Sequence, residues 1–328
     1  MNNFLSSAFA RFGFTGDPSR LVVYLPETSR KTGNRVWAFL GGLLPTGSLK
    51  FISALGALAH LGSINSNREI KNVIASTSGN LGLAGAALLQ NTSIAFHAVV
   101  DVRTPVHKLE QLRQYGAIVD VVEEPDPTYI DARLKKVAAL VSRLPAAVNL
   151  DQYANPGAPE AHFTFTGPFL WAARKGQIDA LVAPIGTGGT FGGVAHFLAQ
   201  MNPRIRRVPV DCEGSIVLGG PMGPHLLTGM GAHIRCTNAL RAFSAVGGSR
   251  PRIIGDTAAF RAAHWVHKND GIWVGGSSGA ALAAVDDLSR EIQGKDIVVI
   301  CPDGGAGYVD TVFDSSWLDQ HGIKINLN

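Results

Sequence analysis

The sequence predicts an α/β fold in which largely parallel sheets are covered by helices on both faces. Two observations lead to this class. Short, wholly apolar segments that predict buried strands alternate along the chain with longer amphipathic segments that predict helices, and no internal repeat or low-complexity segment interrupts this order. Wholly apolar strands are typical of parallel sheets that are buried on both faces, and regular strand–helix alternation indicates the crossover connections that such sheets need.

Each half of the chain repeats the pattern. In the first half, strands are predicted at 35–40, 72–77, 94–100 and 117–122, and helices at 48–61, 79–89, 104–115 and 130–144. Ser48 is the predicted N-cap of its helix, and Gly116 ends the third helix. In the second half, strands are predicted at 180–184, 208–211, 272–274 and 297–301, and helices at 191–200, 257–269 and 278–292. The loop-rich stretch 149–159 is a candidate hinge or domain boundary.

Composition narrows the functional class. With 328 residues, 46% of them hydrophobic and 16% charged, the chain can bury a large core in one to three domains. A net charge of +4 without a basic run disfavours nucleic acid as a partner, and no apolar run reaches membrane-spanning length. Three widely spaced cysteines predict a reducing compartment without disulfides. We expect a cytoplasmic protein, although residues 1–20 also resemble a transit peptide.

A lysine at a predicted helix start is the leading catalytic candidate. Lys50 ends the segment Pro45-Thr46-Gly47-Ser48-Leu49-Lys50, and Ser76-Thr77-Ser78-Gly79-Asn80 follows the next strand. A cation is disfavoured at a helix N-terminus, which argues against an ordinary surface lysine. A lysine that forms a Schiff base needs an enclosed site, and a loop of hydroxyls and backbone amides can hold a carboxylate. Together the two segments suggest pyridoxal-phosphate (PLP) chemistry on an amino acid.

Two nucleotide-binding motifs compete with this interpretation. Gly42 and Gly47 mimic a P-loop, but the lysine comes three residues after the second glycine instead of directly after it, so we exclude an NTPase. The turn Gly186-Thr187-Gly188-Gly189-Thr190 could open a dinucleotide site, with Asp211 near the distance at which the acidic residue is expected. Its glycine spacing departs from that fingerprint, and a phosphate cup at the next helix N-terminus fits better.

Five motifs in order resemble the fold-type II PLP enzymes, the cysteine synthase and tryptophan synthase β group. They are Thr46-Gly47-Ser48-Leu49-Lys50, the loop from Ser76 to Gly82, the turn from Gly186 to Thr190, Gly276-Ser277-Ser278-Gly279, and Pro302-Asp303-Gly304-Gly305. The resemblance covers roughly residues 35–315 and implies two three-layer α/β/α domains with largely parallel sheets. It places a smaller, mobile domain at 46–150 and a larger domain, which binds the PLP phosphate, at 1–45 and 151–328.

The resemblance also implies a role for each motif. Lys50 would hold the cofactor and move the Cα proton, Asn80 would bond the ring hydroxyl, and Ser277 would meet the pyridine nitrogen. The phosphate cup would comprise Gly186, Thr187, Gly188, Gly189 and Thr190. The substrate residues would be Thr77, Ser78, Gly79, Gln152 and Gly231. A neutral serine at the ring nitrogen favours β-elimination over transamination. In this chain Phe51 and Ile52 replace the Asp-Arg pair that usually follows the lysine.

The implied reaction is β-replacement on an O-activated L-serine through an α-aminoacrylate. Two family branches differ in the nucleophile. One adds sulfide to make cysteine; the other adds L-glutamate to make N-(2-amino-2-carboxyethyl)-L-glutamate, a precursor of 2,3-diaminopropionate in siderophore and antibiotic pathways. Stretches such as Val99-Val100-Asp101 and Ser316-Trp317-Leu318 favour the second, whereas the phosphate cup has the cysteine-synthase form. Glutamate needs a cation for its carboxylates, and Arg133 is the candidate. Tyr153 is a further candidate substrate-binding residue.

Partners follow from the same resemblance. We expect small amino-acid substrates and a homodimer, with neither nucleic acid nor a membrane involved. No metal site is predicted, because His264 and His267 share a helix face without a third ligand nearby. A regulatory subunit that binds PLP with little turnover is the alternative from another functional class, since the residues after Lys50 depart from the family pattern.

Overall fold

The computed structural model describes residues 18–77, 79–123, 130–246 and 249–325. Its strands are β1 (Val22–Tyr24), β2 (Arg35–Leu40), β3 (Asn72–Ser76), β4 (Ala95–Asp101), β5 (Ile118–Val122), β6 (Ala147–Asn149), β7 (Ala180–Pro184), β8 (Arg206–Cys212), β9 (Arg252–Ile254) and β10 (Asp296–Cys301). Its helices are α1 (Pro26–Thr32), α2 (Lys50–Ile64), α3 (Asn80–Leu89), α4 (Val106–Gln114), α5 (Ile130–Arg143), α6 (Gly157–Ala161), α7 (Gly167–Ala173), α8 (Gly189–Met201), α9 (Thr237–Phe243), α10 (Asp256–Asp270), α11 (Gly276–Leu288) and α12 (Ser315–Gln320). A π-helical turn, His162–Thr166, joins α6 to α7.

The strands form two sheets. The larger sheet has the order β1-β2-β10-β7-β8-β9 and is parallel except for β1, which runs antiparallel to β2. The smaller sheet has the order β5-β4-β3-β6 and is parallel throughout. Every residue of the central strands β7 and β10 is buried, as expected for strands covered on both faces. The predicted α/β class with two largely parallel sheets is confirmed.

Most predicted elements lie within two or three residues of the observed ones, but two expectations are wrong. Residues 272–274 form no strand, because the chain passes from α10 almost directly into α11 and leaves only an isolated bridge between Val274 and Gly304. The predicted cap Ser48 precedes a helix that begins at Lys50 without a side-chain cap. Residues 149–159 include the start of α6, and this stretch stays a predicted hinge or boundary.

Helix α2 is held by a close backbone contact with α6. A Cβ on Gly56 would lie 2.1 Å from the Gly157 carbonyl oxygen, and a Cβ on Gly157 would lie 2.2 Å from the Gly56 carbonyl oxygen. Only glycine at both positions allows this approach. Helix α2 begins at Lys50 and packs on both α3 and α6, so these two helices fix the position of the lysine.

In the part of the chain that the structure describes, no helix is both long and apolar enough to cross a bilayer. The same residues include no group of three or more His, Cys, Asp or Glu side chains arranged to hold a metal ion. The three cysteines, Cys212, Cys236 and Cys301, are free and buried.

Candidate active site

Lys50 lies where the central strand β10 of the larger sheet ends. The backbone N–H of Leu49 donates to the Pro302 carbonyl oxygen at 2.7 Å, and Ser48 forms an antiparallel bridge with Asp303. Just before this contact, Thr46 has a φ of 64°, a left-handed conformation that costs a non-glycine residue about 1 kcal/mol. Ser48 is extended and its buried hydroxyl has no partner among the described residues, so it lines the site instead of capping α2.

The surroundings of Lys50 favour its neutral form. Desolvation is the main influence and lowers the pKa of the ammonium group, while Cys236 and Asp303 act in the opposite direction. A lysine with a lowered pKa keeps more of its amine unprotonated at neutral pH. Such an amine can attack an aldehyde and can later accept a proton from carbon.

The loop after β3 is joined to the N-terminus of α3 by side-chain hydrogen bonds. The Thr77 hydroxyl oxygen accepts the backbone N–H of Gly82 at 3.0 Å and that of Gly79 at 3.4 Å, so its side chain caps this helix. The amide of Gln152 donates to the Ser76 carbonyl oxygen at 2.6 Å. Ser78 lies outside the described residues. The predicted carboxylate loop and Gln152 therefore meet at one place, where helix-terminal N–H groups can receive an anion.

The glycine-rich turn follows β7 and leads into the thirteen-residue helix α8. Gly188 has a φ of 91°, and a Cβ there would lie 2.3 Å from the Ala239 Cα atom, so no other residue fits. The backbone N–H of Gly231 donates to the Ile185 carbonyl oxygen at 2.9 Å. Gly231 itself packs against Cys212, since a Cβ there would lie 2.4 Å from its sulfur. The turn thus presents backbone amides at a helix N-terminus, the arrangement that binds phosphate.

Ser277 faces the same space from the start of α11. Its side chain is fully buried, and its hydroxyl has no partner among the described residues. A Cβ placed on Gly229 would be 3.7 Å from the Ser277 hydroxyl oxygen, 3.7 Å from the Tyr308 hydroxyl oxygen and 3.9 Å from a carboxylate oxygen of Asp303. Three polar groups from separate segments therefore converge beside Gly229. A buried hydroxyl without a partner is costly, which indicates that a bound group completes it.

Asp303, which follows β10 in the motif Pro302-Asp303-Gly304-Gly305, lies at the centre of a polar network. Its Oδ2 accepts the Asn80 amide at 2.8 Å and the Tyr308 hydroxyl at 2.7 Å, and the Lys108 ammonium group donates to Asn80 Oδ1 at 3.4 Å. Desolvation raises the pKa of the Asp303 carboxyl, opposed by these hydrogen bonds and by the charges of Lys108 and Lys50. The sequence signal for this role was a carboxylate placed directly after a central strand.

The raised pKa of Asp303 predicts a specific pH dependence of folding. Because the folded protein favours the protonated carboxyl, this group stabilises the fold at low pH, and that contribution is lost as pH rises through its folded pKa. Asp303→Asn keeps an acceptor at Oδ2 and puts an amide where the unpartnered Oδ1 lies. We expect urea unfolding of the apoprotein, followed as the pH is raised from about 4, the ordinary pKa of an aspartate, to show a flatter pH dependence in this variant. The exposed Asp310→Asn should keep the wild-type slope.

Arg133 is buried on α5, with about 6% of its surface exposed, and is not a solvated face residue. Its Nη1 lies 3.5 Å from Asp101 Oδ2, and its Nε has no hydrogen-bond partner in the described part of the structure. Burial raises the pKa of Tyr153, and the positive charge of Arg133 partly offsets this, which places the two side chains within electrostatic reach. Arg133 and Tyr153 therefore lie near each other, and the Arg133 Nε–H is a buried donor without a partner among the described residues.

These groups fit PLP. The turn 186–190 offers backbone amides for a phosphate, Lys50 offers an amine for the aldehyde, and Ser277 offers a buried, unpartnered hydroxyl for the ring nitrogen. Asn80 could turn its amide from Asp303 toward the ring hydroxyl. The donor set thus matches the cofactor group by group.

A family model described as pyridoxal-phosphate dependent enzyme matches residues 18–303. The chain belongs to this family. It is a PLP-dependent enzyme, and the predicted family resemblance and cofactor are confirmed. Membership in an enzyme family counts against the alternative of a regulatory subunit.

Known relatives agree with this assignment. An N-(2-amino-2-carboxyethyl)-L-glutamate synthase from Ralstonia nicotianae is 33% identical over 290 residues, which are 86% of this chain and 83% of that protein. A hydrogen sulfide-producing enzyme from Fusobacterium nucleatum superposes with a TM-score of 0.81 at 26% identity, covering 90% of this chain and 99% of that one. An O-ureido-L-serine synthase shares the fold, with a TM-score of 0.78 at 23% identity over 91% and 95% of the two chains.

Proposed function

We propose that this enzyme catalyses β-substitution on an O-activated L-serine, either O-phosphoserine or O-acetylserine, with L-glutamate as the nucleophile. The product is N-(2-amino-2-carboxyethyl)-L-glutamate, a precursor of 2,3-diaminopropionate in siderophore or antibiotic pathways. The observation that carries the proposal is the 33% identity, over most of both chains, to a synthase named for this product. The buried Arg133, with its unpartnered N–H group, supports a nucleophile that bears carboxylates.

The residues of the chain divide the work as follows. Bound PLP supplies the electron sink that acidifies the Cα–H bond of the amino-acid substrate. The backbone amide of Asn80 at the start of α3, with Gln152 nearby, holds the substrate α-carboxylate. The Lys50 amine then accepts the Cα proton at Nζ while the Cβ–O bond breaks, and it returns a proton to Cα after the glutamate nitrogen has bonded to Cβ. The turn 186–190 keeps the cofactor fixed throughout.

Glutamate brings two carboxylates into the site, and each needs a cation or hydrogen-bond donors. Arg133 supplies a guanidinium within electrostatic reach of Tyr153, which lies next in sequence to Gln152. We propose that Arg133 binds a carboxylate of the incoming glutamate and that Tyr153 adds a hydrogen bond to it. Sulfide has no such requirement, so this pair is where the two branches should differ.

Sulfide is the second candidate nucleophile. The phosphate cup Gly186-Thr187-Gly188-Gly189-Thr190 has the cysteine-synthase form, and a hydrogen sulfide-producing enzyme is among the structural relatives. A cysteine synthase would use the same Lys50 chemistry and differ only in the second half of the reaction.

Mixing the yellow holoenzyme with O-phospho-L-serine, and separately with O-acetyl-L-serine, in a stopped-flow spectrometer tests both halves. We expect one donor to change the cofactor spectrum and L-glutamate to restore it, with N-(2-amino-2-carboxyethyl)-L-glutamate detected by mass spectrometry. Restoration by sulfide alone would identify a cysteine synthase. A spectrum unchanged by either donor would contradict β-substitution.

We further propose that residues 46–150 form a smaller domain that closes over the cofactor when the substrate carboxylate binds. The smaller sheet falls wholly within these residues, and Lys108 reaches from α4 toward Asn80 and the Asp303 network. We also propose a homodimer that pairs through the larger domain, as the family resemblance implies; two-fold dimers are the commonest soluble oligomers.

A further inference from the structure

His162 lies at the first position of the π-helical turn between α6 and α7 and is fully buried. Its Nε2 is 2.9 Å from the Ser53 hydroxyl oxygen and 3.1 Å from the Thr190 hydroxyl oxygen. Its Nδ1 is 2.9 Å from the Thr166 hydroxyl oxygen. One imidazole therefore connects the lysine helix α2, through Ser53, to the last residue of the phosphate cup. π-helical turns are rare and often occur at functional sites.

Hydrogen-bond counting selects one tautomer of this ring. A neutral imidazole has one N–H donor and one acceptor lone pair. Two hydroxyl groups cannot both donate to the single lone pair of Nε2, whereas one N–H can be shared between two oxygens. The Nε2–H tautomer, with Nδ1 accepting from Thr166, therefore satisfies all three contacts. It also leaves the Thr190 hydroxyl proton free to be donated elsewhere.

The ring stays neutral at working pH. Burial lowers the pKa of His162 to about 3, and the nearby positive charge of Lys50 adds to the shift. A second cation beside Lys50 is thereby avoided, and the donor at Nε2 does not change with pH in the range where the enzyme works.

We propose that His162 is a positioning residue for the cofactor phosphate: its Nε2–H fixes the Thr190 hydroxyl so that the hydroxyl proton faces the phosphate cup. The contact with Ser53 also joins the same ring to the helix that carries Lys50. The inference rests on assigning the phosphate to the turn 186–190 and is independent of the nucleophile.

Substitution of His162 by Gln and by Asn tests the contributions of the two ring nitrogens separately. Gln extends far enough to put an amide N–H near the position of Nε2, whereas Asn reaches only the Nδ1 side. We expect His162→Asn to weaken PLP binding to the apoprotein by about 10- to 100-fold, the range for one hydrogen bond to a charged group. His162→Gln should recover most of that loss. Thr164→Val, which alters another hydroxyl of the same π-helical turn, serves as the matched control and should bind PLP like the wild type.

Fluorescence titration gives the affinity, and ³¹P NMR of the bound cofactor reports the phosphate hydrogen bonds directly. Thermal unfolding of each apoprotein separates a folding defect from a binding defect. In the Thr190→Val background, His162→Asn should cause no further loss and no further ³¹P shift, because it acts through that hydroxyl. Additive losses, or a His162→Gln variant as weak as His162→Asn, would overturn the proposal. Wild-type affinity in Thr190→Val alone would overturn the phosphate assignment itself, whatever nucleophile the enzyme uses.

Discussion

Lys50→Ala is expected to abolish the covalently held cofactor and to reduce turnover by at least about 10³-fold, within the range for loss of a positioned proton-transfer group. Desolvation lowers the pKa of the Lys50 amine. Lys50 is also the first residue of α2, and the backbone contacts of Ser48 and Leu49 anchor the start of this helix to the end of β10. Loss of the visible absorbance band measures the missing bond. Borohydride reduction of the wild type, followed by peptide mass spectrometry, should place the PLP label on Lys50.

Lys108 is the appropriate control for this experiment. It is also a lysine of the site, desolvation also lowers its pKa, and the charge of Asp303 also opposes that shift. Lys108→Gln should keep the visible band and the label on Lys50, because the Lys108 ammonium group contacts Asn80 and is not the predicted Schiff-base amine. A band that persists in Lys50→Ala, or a label on the Lys108 peptide, would show that the covalent assignment is wrong.

Much of the fold could be predicted from sequence because burial patterns are local. Residues 180–184 and 297–301 are apolar throughout, and both lie in central strands of the larger sheet. The short strands β1, β6 and β9 were not predicted, since three residues carry too little periodicity and each strand is held by its partner in the sheet. The six-stranded order depends on β10 entering between β2 and β7, a long-range pairing that no local pattern specifies.

The site was predictable to the extent that its chemistry lies in contiguous motifs. Lys50 and the turn 186–190 could be found in this way, because a helix start and a glycine turn are local features. The role of Asp303 could not, since it arises from contacts with Asn80 and Tyr308 that only the fold creates. The prediction of Ser48 as an N-cap was wrong for the same reason: its backbone pairs with Asp303, a distant residue that no local pattern reveals.

Arg133→Met is expected to reduce glutamate-dependent turnover by about 10- to 100-fold while sulfide-dependent turnover changes by no more than a few fold. A hydrogen bond to a charged group contributes about 1.5–3 kcal/mol, and only the glutamate reaction would lose one. Donor-induced spectral changes should survive, because Lys50 and the loop at Thr77 remain intact. Steady-state rates with each nucleophile, measured on the same enzyme preparation, give the comparison.

Arg133→Met also removes the buried positive charge that faces the Asp101 carboxylate, and such a loss can destabilise the protein by about 3 kcal/mol or more. The contact with Arg103 partly offsets this, because its Nε lies 3.2 Å from Asp101 Oδ1. Arg133→Lys keeps the positive charge, so the variant should fold normally. It loses the planar guanidinium group, so the glutamate-dependent rate should still fall more than the sulfide-dependent rate. The exposed Arg143→Met, on the same helix, should leave both reactions unchanged. Equal losses with glutamate and sulfide in Arg133→Lys would mean that Arg133 supports the site as a whole, and the nucleophile would have to be recognised elsewhere.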